Sequence, residues 1–348
     1  MTGFLYYPGC SMDTSARAYH DSIGAVCRVL DVDLHEIDDW NCCGASEYFS
    51  ISLTRAQALV GRNLAIAERE TNGTDTLVAA CSMCYLNLAK TDDQLAESAP
   101  TAERVNDALS AGGLHYDPGS VRVRHLLEVI VRDIGLDAVR ERVVRPLHGL
   151  RVAPYLGCLL TRPGFNGRWS SFEHPVEFDR LIAALGAEVV DFPAKTDCCG
   201  GHMTQISPAI GFELIKRLVA TADRQKAHLM ATVCPMCQMN VDAFQGEMNR
   251  YFRTSYHMPI LFFTQLIGLA FGAKPEELGI GSELVDARSA LAQIGIEVPP
   301  AEGAVATAVG VAAGNGTEPA AAPARPPRGK RGPELPMPRM PHDGERIR

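Results

Sequence analysis

Apolar positions along the chain fall into segments whose period switches between that of a helix and that of a strand. Residues Asp21–Leu30 and Glu177–Leu185 repeat apolar side chains at the ~3.6-residue spacing of a helix with one buried face. Each is followed by a short strand-like run, Val32–Ile37 and Glu188–Phe192. Longer helical patterns cover Ile51–Arg69 and Pro208–Lys226, and each leads into an apolar run, Thr76–Ala80 and Leu229–Val233, that reads as a buried strand. Helical patterns over Arg124–Ile134 and Ile260–Phe271 close the two series. The same order of elements occurs twice. Strand alternating with helix needs crossover connections, so an α/β fold is expected, with a small parallel sheet and flanking helices in each unit. The units are expected over residues 1–146 and 147–298, related by a pseudo-twofold axis.

Residues 299–348 are different material. They hold ten of the 22 prolines, no aromatic residue and no cysteine, and include the run AAAPARPPRGKRG. A segment that buries so little apolar surface does not offset its chain entropy, so a disordered Pro/Ala-rich tail is expected there.

Composition narrows the class. The chain has 348 residues, of which 46% are hydrophobic and 21% charged, values ordinary for a soluble globular protein. A net charge of −8 argues against a nucleic-acid-binding face. No stretch reaches the ~18–20 apolar residues of a spanning helix. The N-terminus, MTGFLYYPGCSMD, has no basic region leading into an apolar one, so no signal peptide is read there and a cytoplasmic location is expected. Thiols stay reduced in that compartment, which turns a cysteine-rich pattern toward metal or redox chemistry.

Ten of the eleven cysteines form two copies of one template. Cys10, Cys42, Cys43, Cys81 and Cys84 read C-x31-CC-x37-CxxC, while Cys158, Cys198, Cys199, Cys234 and Cys237 read C-x39-CC-x34-CxxC. The flanking residues repeat as well: FLYYPGC against VAPYLGC, NCCGA against DCCGG, and AACSMCYLN against ATVCPMCQMN. The first cysteine, the CCG and the CxxC of each unit all follow a strand, and loops at the carboxyl ends of parallel strands gather at one edge. Disulfides do not suit a reducing compartment. A structural zinc site takes four ligands, usually from two short knuckles, and each unit has a single CxxC. Five thiols, two of them adjacent and pointing apart, suit a wider object with several irons, although the CxxCxxC run of an ordinary cubane is absent. The spacing thus favours a non-standard iron–sulfur cluster in each half.

The doubled CCG motif, with VRVRHLLEVI after the first copy and PILFFTQLIGLAFG after the second, resembles the B-type subunit of heterodisulfide reductase over about residues 3–272. The resemblance implies two CCG domains in a catalytic oxidoreductase subunit acting on a sulfur group. It implies two non-cubane [4Fe-4S] clusters, each held by the five cysteines of one motif, that cleave a disulfide between them or oxidise thiols. It also implies partners: a ferredoxin-like protein of the C type with cubane clusters, a flavoprotein of the A type, and a small disulfide or thiol substrate. The alternative is a non-catalytic electron-transfer or assembly subunit with zinc or an ordinary cluster in one half, a reading that the asymmetry of CCGASEY against CCGGHMT keeps open.

Other polar residues carry weaker signals. His202 directly follows CCGG, placed to donate a proton to a product thiolate or simply to bond backbone. Arg17 and Arg162 lie a few residues past Cys10 and Cys158, where they would meet an anionic substrate tail or be solvated surface arginines. His125 reads as a structural histidine, Lys195 as a surface loop lysine, and Cys27 as a core thiol. Met83 and Met236, matched within the two CxxC loops, read as apolar cover for a cluster. If both clusters share one substrate, the loops of Cys10 and Cys158 are expected to face one cleft.

Overall fold

The computed structural model describes residues 2–45, 47–71, 73–161 and 169–299. Two four-stranded parallel sheets form its framework. The first runs in the order β2-β1-β3-β4, with β1 over Thr2–Tyr7, β2 over Val32–Glu36, β3 over Thr76–Ala79 and β4 over Arg122–His125. The second repeats that order as β6-β5-β7-β8, with β5 over Arg151–Tyr155, β6 over Glu188–Val189, β7 over Leu229–Thr232 and β8 over Ile260–Phe262. Strands β3, β7 and β8 are buried at every position, as expected of parallel strands covered on both faces.

The strand order reverses direction between β1 and β3 and again between β5 and β7. Such a switch point opens a crevice at the carboxyl ends of the two central strands. Cys10 follows β1 and Cys81 follows β3, while Cys158 follows β5 and Cys234 follows β7. The topology therefore directs both templates to equivalent crevices.

The fourth strand of each sheet departs from the periodicity reading. Arg122–His125 and Ile260–Phe262 are strands, and the helices start directly after them, at Leu126 and Phe263. With no loop between strand and helix, the apolar pattern runs on without a break.

The two sheets are joined by exchanged helix packing. The helix Arg17–Val29 of the first half lies against Phe263–Ala270 of the second, where Ser22 Oγ and Thr264 Oγ1 are 2.6 Å apart. In the other direction, Glu177 at the start of the helix Glu177–Ala184 meets Arg132 of the first half at 3.6 Å. Among the described residues, no helix is long and apolar enough to cross a membrane. The tail expected from residue 299 lies outside the described residues apart from Pro299, and so does Arg162.

Candidate metal centre

Each template is built the same way from its backbone upward. A glycine precedes the first cysteine, at φ +78° for Gly9 and +71° for Gly157, a conformation glycine adopts without steric cost. Both are also crowded: a Cβ added to Gly9 would lie 2.9 Å from Cys84 Sγ, and one added to Gly157 would lie 2.9 Å from Cys237 Sγ. The last thiol of each CxxC thus rests against the backbone that presents the first cysteine. Three residues before each first cysteine, a buried tyrosine ties down the CCG loop. Tyr7 Oη donates to the carbonyl of Asn41 at 2.8 Å, and Tyr155 Oη donates to that of Asp197 at 2.9 Å. The CxxC itself opens a helix, Ser82–Glu97 or Pro235–Ala243, so its second cysteine lies one turn in.

The thiols gather in both halves. Cys10 and Cys42 sulfurs are 3.7 Å apart, and those of Cys43 and Cys84 are 3.6 Å apart. Cys81 neighbours Cys84 within its own loop and Cys234 across the interface between the halves. In the second half, Cys237 neighbours both Cys199 and Cys234. Cys10, Cys42 and Cys198 reach solvent, whereas Cys43, Cys81, Cys84, Cys199, Cys234 and Cys237 are buried and Cys158 is intermediate.

Proton sharing among these thiols polarises the set. The neighbouring thiols of Cys42 and Cys84 hold Cys43 down to about 3. Cys237 and Cys81 likewise hold Cys234 well below the ordinary thiol range. Their partners move the other way: Cys42, Cys81, Cys84 and Cys237 are raised, each first by a neighbouring thiol, and Cys199 is pushed up to about 12. Several buried thiols that cannot all ionise together are a donor set a cationic centre would complete, because coordination replaces the shared protons.

The second half offers a volume for such a centre. A cavity of about 260 Å³ is lined by Cys158, Cys198, Cys199, Cys234 and Cys237 together. Its wall is otherwise mostly apolar and includes Met236, Ile206 and, from the first half, Ser82 and Met83. The donors surround a volume rather than a point; among the described residues, no three cysteine, histidine or acidic groups are placed around one ion. Thiols distributed around a half-open volume fit a group with several irons, which would bind them as thiolates.

Placement of the remaining residues is mixed. His202 lines the cavity, and Met83 and Met236 line it from opposite halves. Cys158 lines it and Cys10 does not, so the first half enters through its CxxC loop rather than through Cys10 as expected. Arg17 is exposed, with its Nε 3.0 Å from Asp21. Cys27 is buried in the core, and burial pushes its thiol up to about 12. His125 is fully buried, its Nδ1 accepting from Leu127 N at 3.1 Å.

Lys195 is not a surface lysine. It is buried, with Nζ 2.5 Å from Asp179, and its carbonyl accepts from both Leu156 and Gly157. It braces the loop that delivers Cys158. Two further pairs escape a reading of the sequence although the repeat displays both: Tyr7 with Tyr155, and Asn87 with Asn240. Each asparagine donates to the carbonyl of the second CCG cysteine, Asn87 to Cys43 at 3.1 Å and Asn240 to Cys199.

Comparison with known proteins agrees with the duplication. The cysteine-rich domain family, CCG, matches twice, over residues 4–89 and 152–242. The 8-methylmenaquinol:fumarate reductase membrane anchor subunit of Wolinella succinogenes is 32% identical over 284 residues, 82% of this chain and 97% of that protein. The B-type subunit of the ferredoxin/F420H2-dependent CoB-CoM heterodisulfide reductase of Methanosarcina acetivorans is 30% identical over 297 residues, 84% of this chain and 97% of that protein. An Archaeoglobus profundus protein, named as similar to the B-type subunit of heterodisulfide reductase, is 26% identical over 283 residues, 80% of this chain and 93% of that protein. Among solved structures, a hypothetical protein from Helicobacter pylori shares the fold, with a TM-score of 0.64 at 15% identity. That similarity covers 82% of this chain and 52% of the other.

Proposed function

The chain belongs to the cysteine-rich CCG family, and from that premise we propose that it is the catalytic iron–sulfur subunit of a heterodisulfide reductase-like complex. Its two cysteine sets, Cys10, Cys42, Cys43, Cys81 and Cys84 with Cys158, Cys198, Cys199, Cys234 and Cys237, would each hold one non-cubane [4Fe-4S] cluster. Such groups supply single electrons and iron positions that accept sulfur, which is what reductive cleavage of a disulfide, or its reverse, requires.

One observation carries this reading. All five cysteines of the second set line one cavity whose wall includes the CxxC loop of the first set. A substrate sulfur admitted there would meet residues of both halves. Met83, Met236 and Ile206 give the cavity an apolar wall, and His202, which lines it, would donate a proton to a leaving thiolate. Arg17 and Arg162 are retained as candidates for an anionic substrate tail. Electrons would enter from a ferredoxin-like protein of the C type, itself fed by a flavoprotein of the A type, in a cytoplasmic complex.

A second reading draws on one relative. The Wolinella succinogenes protein is named as the membrane anchor subunit of an 8-methylmenaquinol:fumarate reductase, so one relative of this chain carries a name that mentions no disulfide. There the chain would transfer electrons or support assembly, with zinc or an ordinary cluster in one half. Iron and acid-labile sulfide analysis of anaerobically purified protein separates the two. About eight irons and no zinc per chain supports two [4Fe-4S] centres, and about four supports the second reading. Disulfide reduction with an artificial one-electron donor then tests joint action: Cys10→Ala and Cys158→Ala should each abolish turnover. Retention of about half the activity in each variant would mean two separate sites.

A further inference from the structure

The two CxxC loops belong to different sheets, so no strand ladder sets the distance between them. Ala80 and Val233 each lie one residue beyond the last strand residue, Ala79 or Thr232, and just before the CxxC. One side chain reaches both. Tyr19 Oη is 3.1 Å from the carbonyl oxygen of Ala80 and 3.4 Å from that of Val233. A phenol has one proton, so the bond is shared between two acceptors, and its strength depends on how far apart they stand.

Tyr19 is itself held by both halves. It belongs to the helix Arg17–Val29, yet its ring stacks on Phe262 of the second half at 4.2 Å with the planes 1° apart. The ring meets Phe263 edge-on at 6.1 Å, and the residue is fully buried. His125, which ends β4 as Phe262 ends β8, lies beside the same two residues, with its buried Nε2 making no hydrogen bond. Directly beyond these carbonyls, Cys81 and Cys234 meet.

We propose that Tyr19 is a positioning residue: its shared hydroxyl fixes the separation of the two CxxC loops, and with it the contact of Cys81 and Cys234. Combined with the proposed function, on which this consequence alone rests, Tyr19 sets how strongly the two metal centres interact.

Tyr19→Phe keeps the ring stack and removes only the hydroxyl. The first measurement needs no metal. Metal-free full-length chain is treated with diamide, which takes two electrons and two protons from a pair of thiols, forming an S–S bond as its N=N group becomes a hydrazine. Peptide mass spectrometry reads the ratio of the Cys81–Cys234 link to the local Cys81–Cys84 and Cys234–Cys237 links. The ratio should fall about fivefold in Tyr19→Phe, the scale of one net hydrogen bond. Ser22→Ala, which loses the bond to Thr264 between the same two helices, should lower stability and leave the ratio unchanged. His125→Gln provides a second perturbation of the carbonyl pair and should also lower the ratio.

An unchanged ratio in folded Tyr19→Phe, an equal fall in Ser22→Ala, or no Cys81–Cys234 link in the wild type would overturn the proposal. In iron-loaded protein, Tyr19→Phe should retain both centres and weaken the magnetic interaction between them in EPR. A wild type with only one centre would sink the functional reading and leave the thiol-link result standing.

Discussion

Asn87 and Asn240 occupy the same point of the two halves, each donating its side-chain amide to the carbonyl of the second CCG cysteine, Cys43 or Cys199. Both lie three residues past the CxxC, on the helix that the CxxC opens. That placement joins the two motifs of a half through one side chain. Asn87 also reaches the carbonyl of Ala45, and Asn240 Oδ1 accepts from Thr204 Oγ1 at 3.1 Å, so each amide grips the stretch that follows its CCG.

Replacing either asparagine by alanine leaves buried loop carbonyls without a donor. The cost should be about 1–3 kcal/mol, read as a lowered denaturation midpoint in urea. Each variant should also lose iron from its own half first. Equal loss from both halves in Asn87→Ala would show that the amide supports the whole protein rather than one loop.

Gly9→Ala and Gly157→Ala should act more severely at the metal centre than in the fold. Each adds a Cβ at 2.9 Å from the last CxxC thiol, at a backbone φ that alanine rarely adopts. Displacing Cys84 or Cys237 would remove one of the proposed ligands, so iron per chain should drop by about half while the circular dichroism of the sheets persists. Full iron content in either variant would mean that the close approach of thiol and glycine is not needed.

The Lys195–Asp179 pair is largely buried, with side-chain exposures of 10% and 24%. Lys195→Met strands a carboxylate and should cost about 2–3 kcal/mol, somewhat below the usual figure for a fully buried pair. Adding Asp179→Asn should recover part of that loss, because the remaining groups are neutral. A double variant less stable than Lys195→Met would show that the ion pair is not what holds the loop before Cys158.

Lys195 also shows where local pattern runs out. Beside the CCG it reads as a loop lysine, and only the fold brings Asp179 and the carbonyl of Pro175 onto its ammonium. The cysteine sets are legible because the template occurs twice, and two coincident spacings are hard to produce without a common structure. Tyr7 and Tyr155 are visible in the same repeat, yet their bonds to the CCG loops depend on the sheet order. β4 is hidden because Arg122–His125 is short, alternates charged and apolar side chains, and runs straight into a helix. The meeting of Cys81 and Cys234 has no signature in either half, because it depends on how the two sheets dock.

His125 and Phe262 end the fourth strands of the two sheets, so phenylalanine is the fold's own alternative at that position. Burial lowers the imidazole of His125 to about 4, whereas an unfolded histidine titrates near ~6.5. Between those values the unfolded chain binds more protons than the folded one, so acid favours unfolding. The contribution is fully present above pH ~6.5 and falls by about 3 kcal/mol as the pH drops to ~4. Asp242 and Glu283, raised by burial, change stability in the opposite sense, but both are retained in a His125→Phe variant. The difference between the two proteins therefore isolates the histidine. Urea unfolding of metal-free protein across pH ~4–7.5 should give a steeper acid loss in the wild type than in His125→Phe. Parallel curves would mean that His125 keeps an ordinary affinity for its proton where it is buried beneath the CxxC loops.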